Sequence, residues 1–116
     1  MNEIFVYGTL RRGQPNHGFL AKAQFGGLAY TAPRYTLLDL GFCPGLAEGG
    51  ADAVTGEVWG VTDRQLDALD ALEGHPKFYR RGDVELDDGR KVMGYLLPPE
   101  RCAGRPRLPG GDWTRR

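Results

Sequence analysis

Gly56-Glu57-Val58-Trp59-Gly60-Val61-Thr62-Asp63-Arg64-Gln65-Leu66-Asp67-Ala68-Leu69-Asp70-Ala71-Leu72-Glu73-Gly74 holds the end of a strand, a helix start, a helix and a helix stop. The run from Ala53 to Val61 reads as a strand weakened by Gly56 and Gly60, glycines of the kind that mark bulges or barrel corners. Thr62-Asp63-Arg64-Gln65 has capping-box spacing, and Val61 stands where a hydrophobic staple onto Leu66 is expected. Leu66, Leu69 and Leu72, with Ala68 and Ala71 beside them, give one apolar stripe, and Gly74 and Pro76 end the helix.

Working outward, strand-like runs are short and separated by turn residues. Ile4-Phe5-Val6-Tyr7 is a buried first strand that meets a turn at Gly8-Thr9. Asn16 is the expected N-cap of a short helix carrying Phe19, Leu20 and Ala23. Leu28–Thr31 and Tyr35–Leu38 flank Ala32-Pro33-Arg34, and Cys43-Pro44-Gly45-Leu46 turns into a further short segment. Tyr79–Leu86 and Lys91–Leu97 bracket Asp87-Asp88-Gly89-Arg90, where Asp-Gly between two strand-like runs is a strong hairpin signal. Residues 98–116 are rich in Pro, Gly and Arg and read as an irregular tail, with Trp113 the only large apolar group available to pin it. The fold expected is α+β, a small mostly antiparallel β-barrel or sheet with flanking helices.

The 116 residues suffice for one domain spanning 1–116, and 18 glycines with 8 prolines fit a fold of many tight turns. Fifteen basic and fifteen acidic residues cancel, so no overall field draws nucleic acid or an anionic membrane. No apolar stretch approaches the roughly 20 residues needed to span a bilayer. Met1–Phe5 shows no basic region followed by an apolar run, so a secretory signal is not expected. Cys43 and Cys102 match neither a disulfide framework nor a CxxC site, and a reduced, cytoplasmic protein is the simplest expectation. His17 and His75 do not complete a zinc site with those cysteines, because no pair has ligand spacing. Arg101, Arg105, Arg107, Arg115 and Arg116 read as a solvated, mobile tail, since no aromatic residues interleave with them as in single-strand binders.

Two places invite chemistry. Glu73 sits at the carboxyl end of the helix, where the macrodipole disfavours an acid. It is either an exposed glutamate at a cost of a few tenths of a kcal/mol, or a carboxylate whose pKa is raised by the helix end and by burial. The latter suits a group that takes a proton near neutrality and returns it. The exit of the first strand, Tyr7-Gly8-Thr9-Leu10, is either an ordinary turn or one whose successive N–H groups converge on an oxygen.

Phe5-Val6-Tyr7-Gly8-Thr9-Leu10-Arg11-Arg12-Gly13-Gln14-Pro15-Asn16-His17 resembles the opening of the γ-glutamylcyclotransferase-like family, most closely its γ-glutamylamine cyclotransferase subgroup. Gly56-Glu57-Val58-Trp59, then Leu66–Gly74, then Tyr79-Arg80-Arg81 resemble its second signature in the same order. The tail after Leu97 is shorter than in that subgroup and looks like that of short bacterial members. The resemblance implies a compact β-barrel with flanking helices. It also implies that Tyr7, Gly8, Thr9 and Leu10 hold a γ-glutamyl group and that Glu73 is the acid/base. The implied reaction is cleavage of a γ-glutamyl amide by its own α-amine to 5-oxoproline and a free amine, with no cofactor or metal. Tyr79 is expected to wall the pocket or orient Glu73. The alternative expectation is a small-molecule binding protein that keeps the pocket without turnover.

Overall fold

The computed structural model describes all 116 residues. Seven strands form one sheet: β1 (Asn2–Val6), β2 (Gln24–Tyr30), β3 (Tyr35–Asp39), β4 (Pro44–Glu48), β5 (Thr55–Val61), β6 (Arg80–Glu85) and β7 (Lys91–Leu96). One α-helix, α1 (Asp63–Glu73), follows β5. The strand order is β2-β5-β1-β7-β4-β3, with β6 paired to β7. Four pairings are antiparallel, and β7 runs parallel to both β1 and β4. A single bridge between Thr31 and Leu86 draws the end of β2 toward the end of β6. The sheet therefore curls like a barrel without a ladder closing it.

The α+β expectation holds, and so does the chemistry of the helix ends. Thr62 accepts from the Gln65 N–H at 3.1 Å and the Gln65 amide oxygen accepts from the Thr62 N–H at 2.8 Å, while Gly74 ends the helix at φ 65°. The apolar stripe is narrower than its spacing suggests. Leu66 and Leu69 are buried, whereas Ala68, Ala71 and Leu72 are exposed.

Alternation along β1 places its residues in two cores. Ile4 and Val6 pack under α1 with Leu66, Leu69, Val61 and Trp59. Phe5 and Tyr7 face the interior of the curled sheet with Val58, Val84, Leu46 and Trp113. Gly56 is required by this packing rather than by a bulge. A Cβ there would lie 2.4 Å from the Val6 carbonyl oxygen and 2.5 Å from the Phe5 ring. The irregularity lies instead on β2, where the register shifts between Phe25 and Gly27, the latter at φ 116°.

Two further expectations change. Asn16 makes no cap, and its segment is a single 3-10 turn, His17–Leu20, of which only Leu20 is buried. The arginine-rich tail is irregular, as expected, but docked rather than mobile. The Asp39 N–H donates to the Pro106 carbonyl and the Leu108 N–H to the Leu37 carbonyl, both at 2.8 Å, and Trp113 is fully buried. No helix is long and apolar enough to cross a membrane.

Candidate active site

Where β1 ends, the sheet opens. β7 is bordered by β1 at Met93 and Gly94 but by β4 at Leu96, and the two neighbours diverge between. Tyr7 fills that gap. Its hydroxyl donates to the Tyr95 carbonyl at 2.7 Å and accepts from the Leu46 N–H at 3.1 Å. Burial pushes its pKa far up, helped by the Glu73 charge, so the phenol stays neutral.

The chain then turns. The Arg11 N–H donates to the Gly8 carbonyl at 3.0 Å, closing a turn with Thr9 and Leu10 at its centre. The carbonyls of that centre are occupied: the Asn16 N–H donates to Thr9 at 2.9 Å, and His17 Nδ1–H donates to Leu10 at 3.0 Å. Asn16 Nδ2 donates to Thr9 Oγ1 at 3.0 Å, which is the role its side chain takes in place of a helix cap. The N–H groups of Gly8, Thr9 and Leu10 donate to no acceptor in the protein. Gly8 does not have a left-handed φ. It must be glycine because a Cβ would lie 2.5 Å from the Pro44 ring.

The helix brings Glu73 to the same place. Tyr7, Gly8, Thr9, Leu10, Glu73 and Tyr79 all line one cavity of about 510 Å³, a volume ordinary for a ligand pocket. Glu73 is half-buried, and its carboxyl group has neither a hydrogen-bond nor an ion-pair partner. Burial raises its pKa to about 7. It is the only charged side chain among the lining residues.

The surrounding side chains fix this end of the helix. Asp70, one turn before Glu73, accepts from Arg81 Nε and Nη2 at 2.9 and 3.2 Å and from the Tyr95 hydroxyl at 2.7 Å. The Tyr79 N–H donates to the Glu73 carbonyl at 3.2 Å. The Tyr79 hydroxyl donates to the Pro44 carbonyl at 2.6 Å and lies 3.5 Å from Cys43 Sγ. Burial drives the Tyr79 pKa far up as well, so Tyr79 is a neutral donor aimed at the backbone of Pro44, whose ring faces Gly8.

Sequence reasoning missed the support beneath the turn. Glu57, buried within β5, accepts from the Arg12 N–H and from Trp59 Nε1, each at 3.1 Å. Burial works against its charge, but the bonds from Trp59 and Arg12 and the nearby Arg11 charge together hold its pKa below the usual carboxylate range. Arg11 lies 3.5 Å from Glu57 and 3.0 Å from Asp112 of the tail, clamping the turn to both. The one available signal was a lone charged residue inside the strand-like run Val54–Val61.

The protein-family model "Gamma-glutamyl cyclotransferase, AIG2-like" matches residues 4–115. A Vibrio cholerae protein, provisionally named a gamma-glutamylcyclotransferase, is 41% identical over 113 residues, covering 97% of this chain and 96% of that protein. The gamma-glutamylaminecyclotransferase of Rattus norvegicus is 39% identical over 95 residues, 74% of this chain and 64% of the rat protein. The crystal structure of an AIG2-like protein from Mus musculus has a TM-score of 0.79 at 31% identity, covering 97% of this chain and 88% of the mouse chain.

Proposed function

The chain belongs to the gamma-glutamyl cyclotransferase, AIG2-like family, a family of cyclotransferase-type enzymes, and from that membership we propose that it cyclises a small γ-glutamylamine or related γ-glutamyl amide. The products are 5-oxoproline and a free amine. The observation that carries this reading is the sharing of one cavity by an unpartnered carboxyl with a pKa near 7 and a turn whose Gly8, Thr9 and Leu10 N–H groups have no acceptor.

The substrate brings its own nucleophile, so holding the chain in a five-membered-ring geometry supplies most of the proximity. Its α-ammonium lacks a lone pair near neutrality, and Glu73 takes one proton from it. The freed amine attacks the γ-carbon, forming the ring C–N bond. The N–H groups of the turn hold the developing oxyanion and the α-carboxylate, and one such oxyanion donor is typically worth about 3 kcal/mol. Glu73 then passes its proton to the departing nitrogen as the amide C–N bond breaks. The second α-nitrogen proton ends on the released amine, which leaves as an ammonium ion. Nucleophile and leaving group both belong to the substrate, so this sequence calls on no metal or cofactor.

The test is 5-oxoproline release from a panel of γ-glutamyl amides. Product is expected from the native protein and a loss of at least about 100-fold from Glu73→Gln, which keeps the shape but removes the base. Equal product from both proteins would remove Glu73 from the mechanism. Saturable binding of 5-oxoproline with no turnover of any amide would instead favour a binding protein.

A further inference from the structure

We infer that the leaving amine this site prefers is uncharged and apolar, received by a hydrophobic rim of Pro15, Phe42, Leu72 and Phe78. The inference rests on the cyclisation reading and adds the class of amine to it. The cavity has a polar floor and an apolar mouth. The Gly8–Leu10 N–H groups lie on buried backbone or backbone only partly open to solvent, so the γ-glutamyl unit that needs them sits deep. The residues through which the cavity opens are different in kind. Phe42, in the β3–β4 turn, is 86% exposed, and Leu72 is 36% exposed at the end of α1. Pro15 is exposed and Phe78 half-buried. Exposed apolar side chains gathered at the mouth of a cavity mark a surface that is completed by a ligand.

Charge points the same way. No lysine, arginine or histidine lines the cavity, and Glu73 is its only ionic side chain. The N–H groups of the turn are needed by the γ-glutamyl unit, so the carboxylate of a γ-glutamyl amino acid would find no counter-ion along the lining. A second ammonium on the leaving amine would find only Glu73, which the reaction requires for itself. One cation reaches the rim from outside the lining: the Arg101 guanidinium stacks on the Phe78 ring 4.6 Å from its centroid and donates to the Lys77 carbonyl. Arg101 is not a lining residue.

Three probes with one γ-glutamyl unit decide the matter: its benzylamide, its methylamide and γ-glutamylglycine. The expected result is a kcat/KM for the benzylamide about tenfold or more above that for γ-glutamylglycine. In Phe42→Ala the preference for benzylamide over methylamide should fall about threefold or more, carried by KM and not by kcat. Phe42 is exposed, and an unchanged unfolding midpoint will show that the variant folds. γ-Glutamylglycine processed as well as the benzylamide overturns the inference, as does a preference untouched by Phe42→Ala. Loss of γ-glutamylglycine turnover in Arg101→Gln would assign the rim to carboxylates and overturn it too. If no amide yields 5-oxoproline, the cyclisation reading fails by itself. Calorimetric binding of the same three compounds to the protein and to Phe42→Ala then still decides the rim by the same ranking.

Discussion

Glu73 has its pKa raised to about 7 because water is largely excluded around it and no cation or N–H compensates. A carboxyl that binds its proton more tightly folded than unfolded makes stability fall as pH rises. Between the ordinary carboxylate value and about 7 the folded protein keeps a proton that the unfolded chain has released, and above that range the full cost of the buried charge applies. Glu73→Gln is therefore expected to be the more stable protein at pH 8, by about 1–3 kcal/mol, with the difference vanishing toward pH 4. Urea unfolding at the two pH values measures it. In the proposed mechanism the same titration sets the rate in the opposite sense, because the base is the deprotonated form. We expect kcat/KM to rise with pH through about 7. A pH–rate profile flat from 6 to 8 would remove Glu73 from the proton transfer. The sequence pointed at this residue through its odd place at a helix carboxyl end. The cause of the shift is burial in a cavity assembled from distant strands, which no local pattern contains.

Between the acid and the turn stand two elements that hold each other in register. Asp70 ties the last turn of α1 to Arg81 of β6 and Tyr95 of β7, and Tyr79 ties the segment after α1 to Pro44 of β4. Pro44 in turn packs on Gly8. Asp70→Ala should destabilise the fold by about 1–3 kcal/mol, since it leaves a guanidinium and a phenol without their acceptor. It should also lower kcat/KM by displacing Glu73, and Asp70→Asn should recover part of both. Tyr79→Phe keeps the ring but leaves the Pro44 carbonyl without its donor, and a loss of about 1 kcal/mol in the unfolding free energy is expected. Retained stability would mean that only the ring matters. The readable elements were those whose instructions are local: the Thr62–Gln65 box, the Gly74 stop and the Asp87–Arg90 hairpin. Asn16 misled because its amide bonds Thr9 across the loop, and Gly56 because its glycine serves the Phe5 ring on a neighbouring strand. Such reasons are tertiary and leave no periodic trace.

At the scale of the whole molecule, the residues most opaque in the sequence are those of the tail. An edge strand exposes unpaired N–H and C=O groups, and β3 is such an edge. Residues 106–108 cover it through the bonds to Asp39 and Leu37, and Arg107 forks onto Asp52 at 2.8 and 2.9 Å. The tail then crosses to the Gly8–Arg11 turn, where Trp113 enters the interior of the sheet and Asp112 meets Arg11. A Gly/Pro/Arg composition looks like solvent-exposed chain because the bonds that pair it with β3 are made by backbone, which composition does not report. Trp113→Ala should therefore cost about 3–5 kcal/mol, as for other fully buried aromatic side chains. Asp112→Ala separates the tail's two roles. It keeps the Trp113 side chain while removing the carboxylate that accepts from the Thr114 N–H and hydroxyl, and it leaves Arg11, at the close of the Gly8–Arg11 turn, with one carboxylate instead of two. About 1–3 kcal/mol of stability should be lost. KM for a γ-glutamyl amide should rise more than kcat falls, because in the proposed mechanism the turn binds the substrate while Glu73 moves the proton. Asp112→Glu should restore part of the KM. An unchanged KM in Asp112→Ala, measured where the variant is fully folded, would confine the tail to covering the sheet edge.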